Sequence, residues 1–498
     1  MRDRVATILT AATAAFHLAF ANRYDVFRDE LYFIVCGRHP AFGYADQPPL
    51  VPLLAAAFYG IGAQAWVLRL PAVFAAAALV WLTIAFARLL GGGNGAAWIA
   101  GLAAAIAPIL IGLTATLNTT TFEPLLWTLV AYLLTRCILL DDRRALLWAG
   151  LAAGIAMEMK YALPLWLGAL ALGLLCFPER RILARRELWI GVALAALIAL
   201  PSVIWQSLNG WPFIQLVHNA SYKDAAVAPL AFAVNQIFVL NPLLAPVWIG
   251  GLIAPFTIRE LRSARFLSIA YLITAVAIVA GHGKDYYLAP AYPSLFAAGA
   301  VAGERIVRSA AARAGYLALA TALSAVIAPL TLPILAPASL IAYVKTLHLS
   351  VQQQERNDQG DLLPAWMADM LGWHDFVREV GSAYASLSPA ERATTAILVT
   401  NYGDAAALDV YGGEYGLPPV LSGHNQYYYW GLRGQNPQNV LDVDSDTRGL
   451  AEHCAQVKIF GMTASPYARS FENGQTIALC RGVHPSLEKL WPAQKKLI

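Results

Sequence analysis

Two short stretches carry side chains able to do chemistry in an otherwise apolar chain: Arg28-Asp29-Glu30-Leu31-Tyr32 and Tyr44-Ala45-Asp46-Gln47-Pro48-Pro49-Leu50. Further along, Lys160 follows Glu158 at the end of one apolar run, and Lys284-Asp285-Tyr286-Tyr287 separates two others. Asn118 and Glu123 flank another break. Ionisable groups beside membrane-length apolar runs are costly to keep, so each is a functional candidate. Together they form a kit for group transfer from a lipid phosphate. A carboxylate takes the proton of an acceptor hydroxyl, while fixed cations steady the departing phosphate. Asp29 or Glu30 can be the base. Lys160 and Lys284, with Tyr287 beside them, can hold phosphate, and Tyr32, Asp46 and Gln47 are positioned to touch substrate. One carboxylate suffices, unlike the pair that glycoside hydrolysis needs.

Each residue also has a plainer reading. Asp29 and Glu30 could cap a helix or pair with Arg28. Lys160 and Lys284 could snorkel to a membrane interface. Asp46 could cap a helix beginning at Pro48. His17 and His424 read as packed or loop-forming, and Tyr427-Tyr428-Tyr429-Trp430 as packing aromatics. Arg69 either pairs with an acidic group or anchors the end of a span.

These groups must be placed by membrane helices. The chain has 498 residues, 58% hydrophobic and 13% charged, against about 25% charged in soluble proteins. A bilayer core needs about 20 apolar residues per helix, and eleven candidate spans follow: roughly 5–22, 66–87, 96–117, 122–140, 145–159, 161–177, 188–205, 235–256, 266–281, 288–303 and 314–335. The first reads as a retained helix rather than a cleaved signal.

The formal net charge of +4 matters less than where the arginines lie. Arg2 and Arg4, Arg143 and Arg144, the group Arg180 to Arg186, Arg259 to Arg265, and Arg305 to Arg313 all fall on one side when eleven spans are counted. The positive-inside rule makes that side cytoplasmic. A nucleic-acid surface would need a continuous basic face instead. Residues 23–65, 206–234, 282–287 and the C-terminal region then face the periplasm. Pro48–Ala63 is apolar but short and begins Pro-Pro, so it reads as an interfacial or re-entrant helix within the first external loop.

The expected organisation is therefore a polytopic α-helical membrane domain over 1–344 and a periplasmic C-terminal domain over 345–498. The second is small and α/β or α+β, with strand-like runs at Ala396–Thr400, Val457–Phe460 and Thr476–Leu479 and a helix at Asp404–Tyr411. The five cysteines form no CxxC pair. Cys137 and Cys176 read as small buried hydrophobes, while Cys454 and Cys480 could pair in an oxidising compartment.

The acidic pair with Tyr32, followed by Tyr-Ala-Asp-Gln-Pro-Pro-Leu, resembles the protein O-mannosyltransferase family of the GT-C superfamily. It is also similar to the bacterial lipid A aminoarabinose transferases and the rhizobial galacturonosyltransferases. Arg69-Leu70-Pro71, Lys160-Tyr161, the run His282 to Pro293, Ala405 to Gly412, Ser422-Gly423-His424-Asn425 and Trp430-Gly431 extend the likeness over most of the chain. The resemblance implies an inner-membrane inverting glycosyltransferase that uses a polyprenyl-phosphate sugar donor and an envelope glycan, lipid or protein acceptor. It implies Asp29 as general base with Glu30 in support, and Lys160 at the lipid phosphate. In two places the sequence departs from that pattern. Gln47 stands where aminoarabinose transferases carry lysine, leaving part of that role to Lys284, and Tyr32 stands where arginine is frequent. No organic cofactor is implied and no metal-ligand set is visible, although Asp29, Glu30 or Asp46 could hold a divalent cation loosely.

A transporter or lipid flippase is the competing reading. Transporters usually show paired broken helices in two related halves, and no such internal symmetry is visible here.

Overall fold

The computed structural model describes residues 3–223, 228–349, 361–444 and 449–498. The chain forms two compact units. One gathers Met1–Arg23, Trp66–Ile204 and Ala226–Ile334; the other gathers Tyr24–Ala65, Trp205–Ala225 and Leu335–Ile498.

The first unit is helical, and each of the eleven apolar segments overlaps one or more helices. Among the described residues, five helices are long and apolar enough to cross a membrane: Leu70–Leu89, Glu123–Leu140, Arg186–Leu208, Arg259–Ala280 and Ala310–Leu330. A sixth is counted if Pro229–Val239 and Pro242–Thr257, bent by 91°, act as one span. That bend has a local cause. Asn241 adopts φ 78° before Pro242, and its amide donates to the Ala320 carbonyl and Ser324 hydroxyl. A residue preceding proline is disfavoured in the helical region, so the side chain takes up what the interrupted helix leaves open. Proline at the first turn starts Leu70–Leu89, Glu123–Leu140, Leu163–Leu175 and Tyr292–Ile306, where its fixed φ suits helix entry and no N–H is lost.

Helices Ala245–Thr257 and Tyr292–Ile306 pack backbone to backbone. A Cβ on Gly251 would lie 2.0 Å from the Leu295 carbonyl oxygen, and one on Gly299 1.8 Å from that of Val247. Close approach through small residues is how helices associate where no hydrophobic effect drives them together. Arg69 is buried and donates to the Ala21 carbonyl at 2.7 Å. The guanidinium thereby serves the C-terminus of helix Arg4–Phe20. Cys137 is buried, but Cys176 is exposed: it lies just past helix Leu163–Leu175, beyond that helix's packed face.

The second unit contains a four-stranded sheet of order β1-β2-β4-β3. β1 (Thr395–Val399) runs parallel to β2 (Asn439–Asp444), and helix Tyr402–Tyr411 lies between them in sequence. β4 (Thr476–Val483) is antiparallel to β2 and to β3 (Cys454–Met462). Ala396, Leu421, Val440, Cys480 and Trp491 form a core on this sheet, and a disulfide joins Cys454 to Cys480. The three strand-like runs and the helix read from sequence lie in β1, β3, β4 and Tyr402–Tyr411. β2 escapes sequence reading because Asp442 interrupts its apolar run.

Composition divides the chain near residue 344, whereas the compact unit built on 335–498 also takes in 24–65 and 205–225. Helix Arg28–Arg38 shows why: Asp29 accepts the Tyr402 hydroxyl, and a Cβ on Gly403 would meet Arg28. Helix Leu50–Ile61 goes with it, since it buries Val51, Pro52, Ala55 and Tyr59 and a Cβ on Gly37 would meet the Pro52 carbonyl oxygen.

Burial pushes the Asp442 carboxyl up to about 7, helped by the neighbouring charge of Asp444. A raised carboxyl supports folding fully below its ordinary range, and that support is lost as pH climbs through about 7. Replacing Asp442 with Asn is therefore expected to raise the melting temperature at pH 8 and to change it little at pH 4, as followed by thermal unfolding in detergent.

Candidate functional site

The acidic residues of the first loop sit at the start of helix Arg28–Arg38 in the second unit. Glu30 is fully buried and its Oε2 accepts the Phe27 N–H at 2.8 Å. That satisfies one of the amide donors a helix start leaves open, so Glu30 is committed to holding the helix. Asp29 is different. Its side chain is about one third exposed, and its Oδ1 accepts the Tyr402 hydroxyl at 2.7 Å. Arg28 Nε lies 3.8 Å from the same oxygen.

Asp46 is half-buried. Its Oδ1 accepts the Tyr32 hydroxyl at 2.8 Å, and its Oδ2 faces the Asn425 amide at 3.4 Å. Tyr32 in turn accepts the Gln426 N–H at 3.1 Å. Asp46 therefore does not cap the following helix, which begins after Pro49 with no side-chain cap. Burial pushes its carboxyl up to about 7; the Tyr32 bond opposes this and the charge of Asp29 adds to it. Two carboxylates thus share one neighbourhood, one of them poised to hold a proton near neutrality. Gln47 turns inward. It is 2% exposed, and its amide lies against the Cys36 thiol.

The elements that fix this geometry come from distant sequence. Asn401 caps helix Tyr402–Tyr411 by accepting the Asp404 N–H. The Tyr402 ring packs 4.7 Å from Tyr32 and 4.9 Å edge-on to His424, with Arg28 above it at 5.5 Å. Gly403 makes room for Arg28, because a Cβ there would lie 2.5 Å from Arg28 Cγ. Arg28 is anchored below by Asp369, through an ion pair at 3.3 Å and by its own N–H to the Asp369 carbonyl. The loop bearing His424 and Asn425 is braced by paired backbone bonds: Asn425 donates to the Lys496 carbonyl and Lys496 to that of Gly423.

The basic candidates belong to the first unit. Lys160 follows helix Arg144–Met159 and meets Glu123 Oε2 at 2.9 Å, with the Tyr287 ring 5.3 Å from its ammonium. Lys284 is half-buried and precedes the turn Asp285–Ala291. Asp285 accepts the Asn235 amide, and Gln236, Tyr292 and Tyr271 continue as a buried hydrogen-bonded chain. Glu158 accepts the Ser202 hydroxyl at 2.7 Å. Lys160 thus carries a resident counter-ion. Among the described residues, no three His, Cys, Asp or Glu side chains converge as metal ligands do.

Structure brings Asp29, Tyr32 and Asp46 into one cluster, and Lys160 and Tyr287 into another. Sequence reading passed over Tyr402 and Asp369, and gave Asn425 only as part of a motif, with no role. The available signal was the Asn-Tyr-Gly-Asp start of helix Tyr402–Tyr411, a capping pattern that named the helix but not the tyrosine's partner.

Residues 46–205 match the family of dolichyl-phosphate-mannose-protein mannosyltransferases. The lipid A galacturonosyltransferase RgtD of Rhizobium johnstonii is 30% identical over 241 residues, which are 45% of this chain and 49% of that protein. The chain thus spans about half the length of that curated relative. ArnT from Cupriavidus metallidurans, crystallised with undecaprenyl phosphate, superposes with a TM-score of 0.60 at 12% identity, over 95% of this chain and 97% of that one. The mycobacterial arabinofuranosyltransferase AftD gives a TM-score of 0.50 at 16% identity over 95% of this chain and 41% of that one.

Proposed function

We propose that the chain is an inverting glycosyltransferase that moves a sugar from a polyprenyl-phosphate donor to an envelope acceptor on the periplasmic face of the inner membrane. The carrying observation is Asp29: a partly exposed carboxylate held by one oxygen, on a fold shared with a protein crystallised with undecaprenyl phosphate. The acceptor hydroxyl attacks the anomeric carbon and gives its proton to Asp29. The bond from that carbon to the phosphate oxygen breaks, and polyprenyl phosphate leaves as an anion, which Lys160 and Lys284 steady. Attack opposite the leaving group inverts the anomeric centre.

Eleven crossings require shorter helices to cross as well. The bent pair and Arg4–Phe20, Asn94–Leu113, Arg144–Met159, Leu163–Leu175 and Tyr292–Ile306 then join the five long spans. The Cys454–Cys480 disulfide favours an oxidising compartment for the C-terminal region. The RgtD likeness favours lipid A among the acceptors, ahead of other glycans, lipids or protein.

Mass spectrometry of envelope glycolipids and glycoproteins from strains with and without the protein tests this reading. One sugar mass is expected to disappear from one carrier class. Unchanged covalent composition, with uptake of a sugar lipid into proteoliposomes, would instead establish a transporter.

A further inference from the structure

Resting on Asp29 as the base, we infer that Tyr402 is the positioning residue that aims this carboxylate, fixing Oδ1 and leaving Oδ2 to receive the acceptor proton. The hydroxyl of Tyr402 donates to Oδ1 at 2.7 Å, and Arg28 Nε stands 3.8 Å from that same oxygen. Both local donors are therefore on one side of the carboxylate. An aspartate on the first turn of a helix otherwise samples several orientations, and a misplacement of about 1 Å can cost about a hundredfold in rate.

The tyrosine itself has little freedom. Tyr32 and His424 flank its ring, and Arg28 covers it. Asn401 fixes the start of its helix. Burial raises the phenol well above its ordinary range, so it stays a donor at every pH at which the enzyme would work. The proton balance is simple: the acceptor's proton moves to Oδ2, and the Tyr402 proton stays on its own oxygen. Among the described residues, the charged and titratable groups against Asp29 are Arg28 from its own helix, Asp46 from the following loop and Tyr402 from helix Tyr402–Tyr411. Of these, only Tyr402 can be stripped of its effect by deleting one oxygen. The inference also gives the C-terminal segment a part in the reaction geometry, beyond any part in binding acceptor.

The test uses purified full-length protein added to membranes from a strain lacking it, which supply donor and acceptor. Release of polyprenyl phosphate is followed by mass spectrometry. Tyr402→Phe keeps the ring and its packing. It is expected to lower the maximal rate by about tenfold to a hundredfold, the worth of a hydrogen bond to a charged group. The membrane concentration giving half-maximal rate should stay within about twofold. Wild-type rate in Tyr402→Phe, with loss only in Tyr402→Ala, would reduce Tyr402 to packing. A loss of rate matched by an equal rise in that half-maximal concentration would likewise overturn the inference, since lost binding has that signature. Asp29→Asn separates the two levels of the argument. If it still transfers, or if the wild type releases no polyprenyl phosphate, the base assignment itself falls. If it is inactive while Tyr402→Phe behaves as wild type, only the role of Tyr402 falls.

Discussion

Asp29→Asn should abolish most sugar transfer, by about a hundredfold to ten-thousandfold, while leaving the protein folded and able to bind donor. The size is that of a general base removed from a proton transfer. The folding half of the expectation comes from geometry. An asparagine amide oxygen can still accept the Tyr402 hydroxyl that now bonds Oδ1, and the residue is partly exposed, so no buried charge is stranded. Donor binding is assigned to Lys160 and Lys284, which belong to the first unit, and should survive. Glu30→Gln provides the contrast. Its amide oxygen can continue to accept the Phe27 N–H, so a smaller loss is expected there. The decisive measurement is the rate of polyprenyl phosphate release, with donor retention by the purified variants measured alongside. Equal losses in the two variants would mean that helix placement, and not proton removal, explains the effect. Full activity in Asp29→Asn would remove the proposed mechanism.

Much of the scaffold could be read from sequence because membrane helices are written locally. A run of apolar residues long enough to cross a bilayer has few other fates. The breaks within such runs were less legible. The expected span 235–256 bends at Asn241-Pro242, and the expected span 96–117 is split where Ala107 takes an extended conformation before Pro108. Proline signals a break without stating its angle, which the packing of the Asn241 side chain decides.

The site divides in the same way. Asp29, Tyr32 and Asp46 lie within 18 residues of one another and could be grouped by pattern. Spacing could not show that Glu30 would turn to the amide of Phe27 or that Gln47 would turn inward, because neighbouring polar residues on a helix start differ only in which way they point. Tyr402 is 373 positions from Asp29, and a contact at that range leaves no periodicity to find. It becomes visible only when the helix after β1 is packed against the helix that carries Asp29.

Behind that packing lies a buried charge network, and cutting it should have the largest effect on stability. Arg469 is 1% exposed. Its Nε lies 2.8 Å from Asp361 Oδ2 and its Nη1 3.3 Å from Asp369 Oδ2. Asp369 also pairs with Arg28 at 3.3 Å, and the nearby Glu472 carboxyl is raised, by burial first and then by the charges of Asp404 and Asp369. Four carboxyl groups therefore share two guanidinium groups away from water. Arg469→Ala leaves Asp361 and Asp369 short of a cation, and breaking a buried pair on one side costs about 3–5 kcal/mol. A large drop in melting temperature is expected. Arg469→Lys should recover part of it, since an ammonium can serve one carboxylate but cannot fork between two. The damage should also reach the reaction, because the Asp369 carbonyl accepts the N–H of Arg28, the residue next to Asp29. Transfer by Arg469→Ala should therefore fall at temperatures where the variant is still folded. A melting temperature within a degree of wild type would mean that water or protons already neutralise these carboxylates, and that Arg28 alone holds the base of the helix in place.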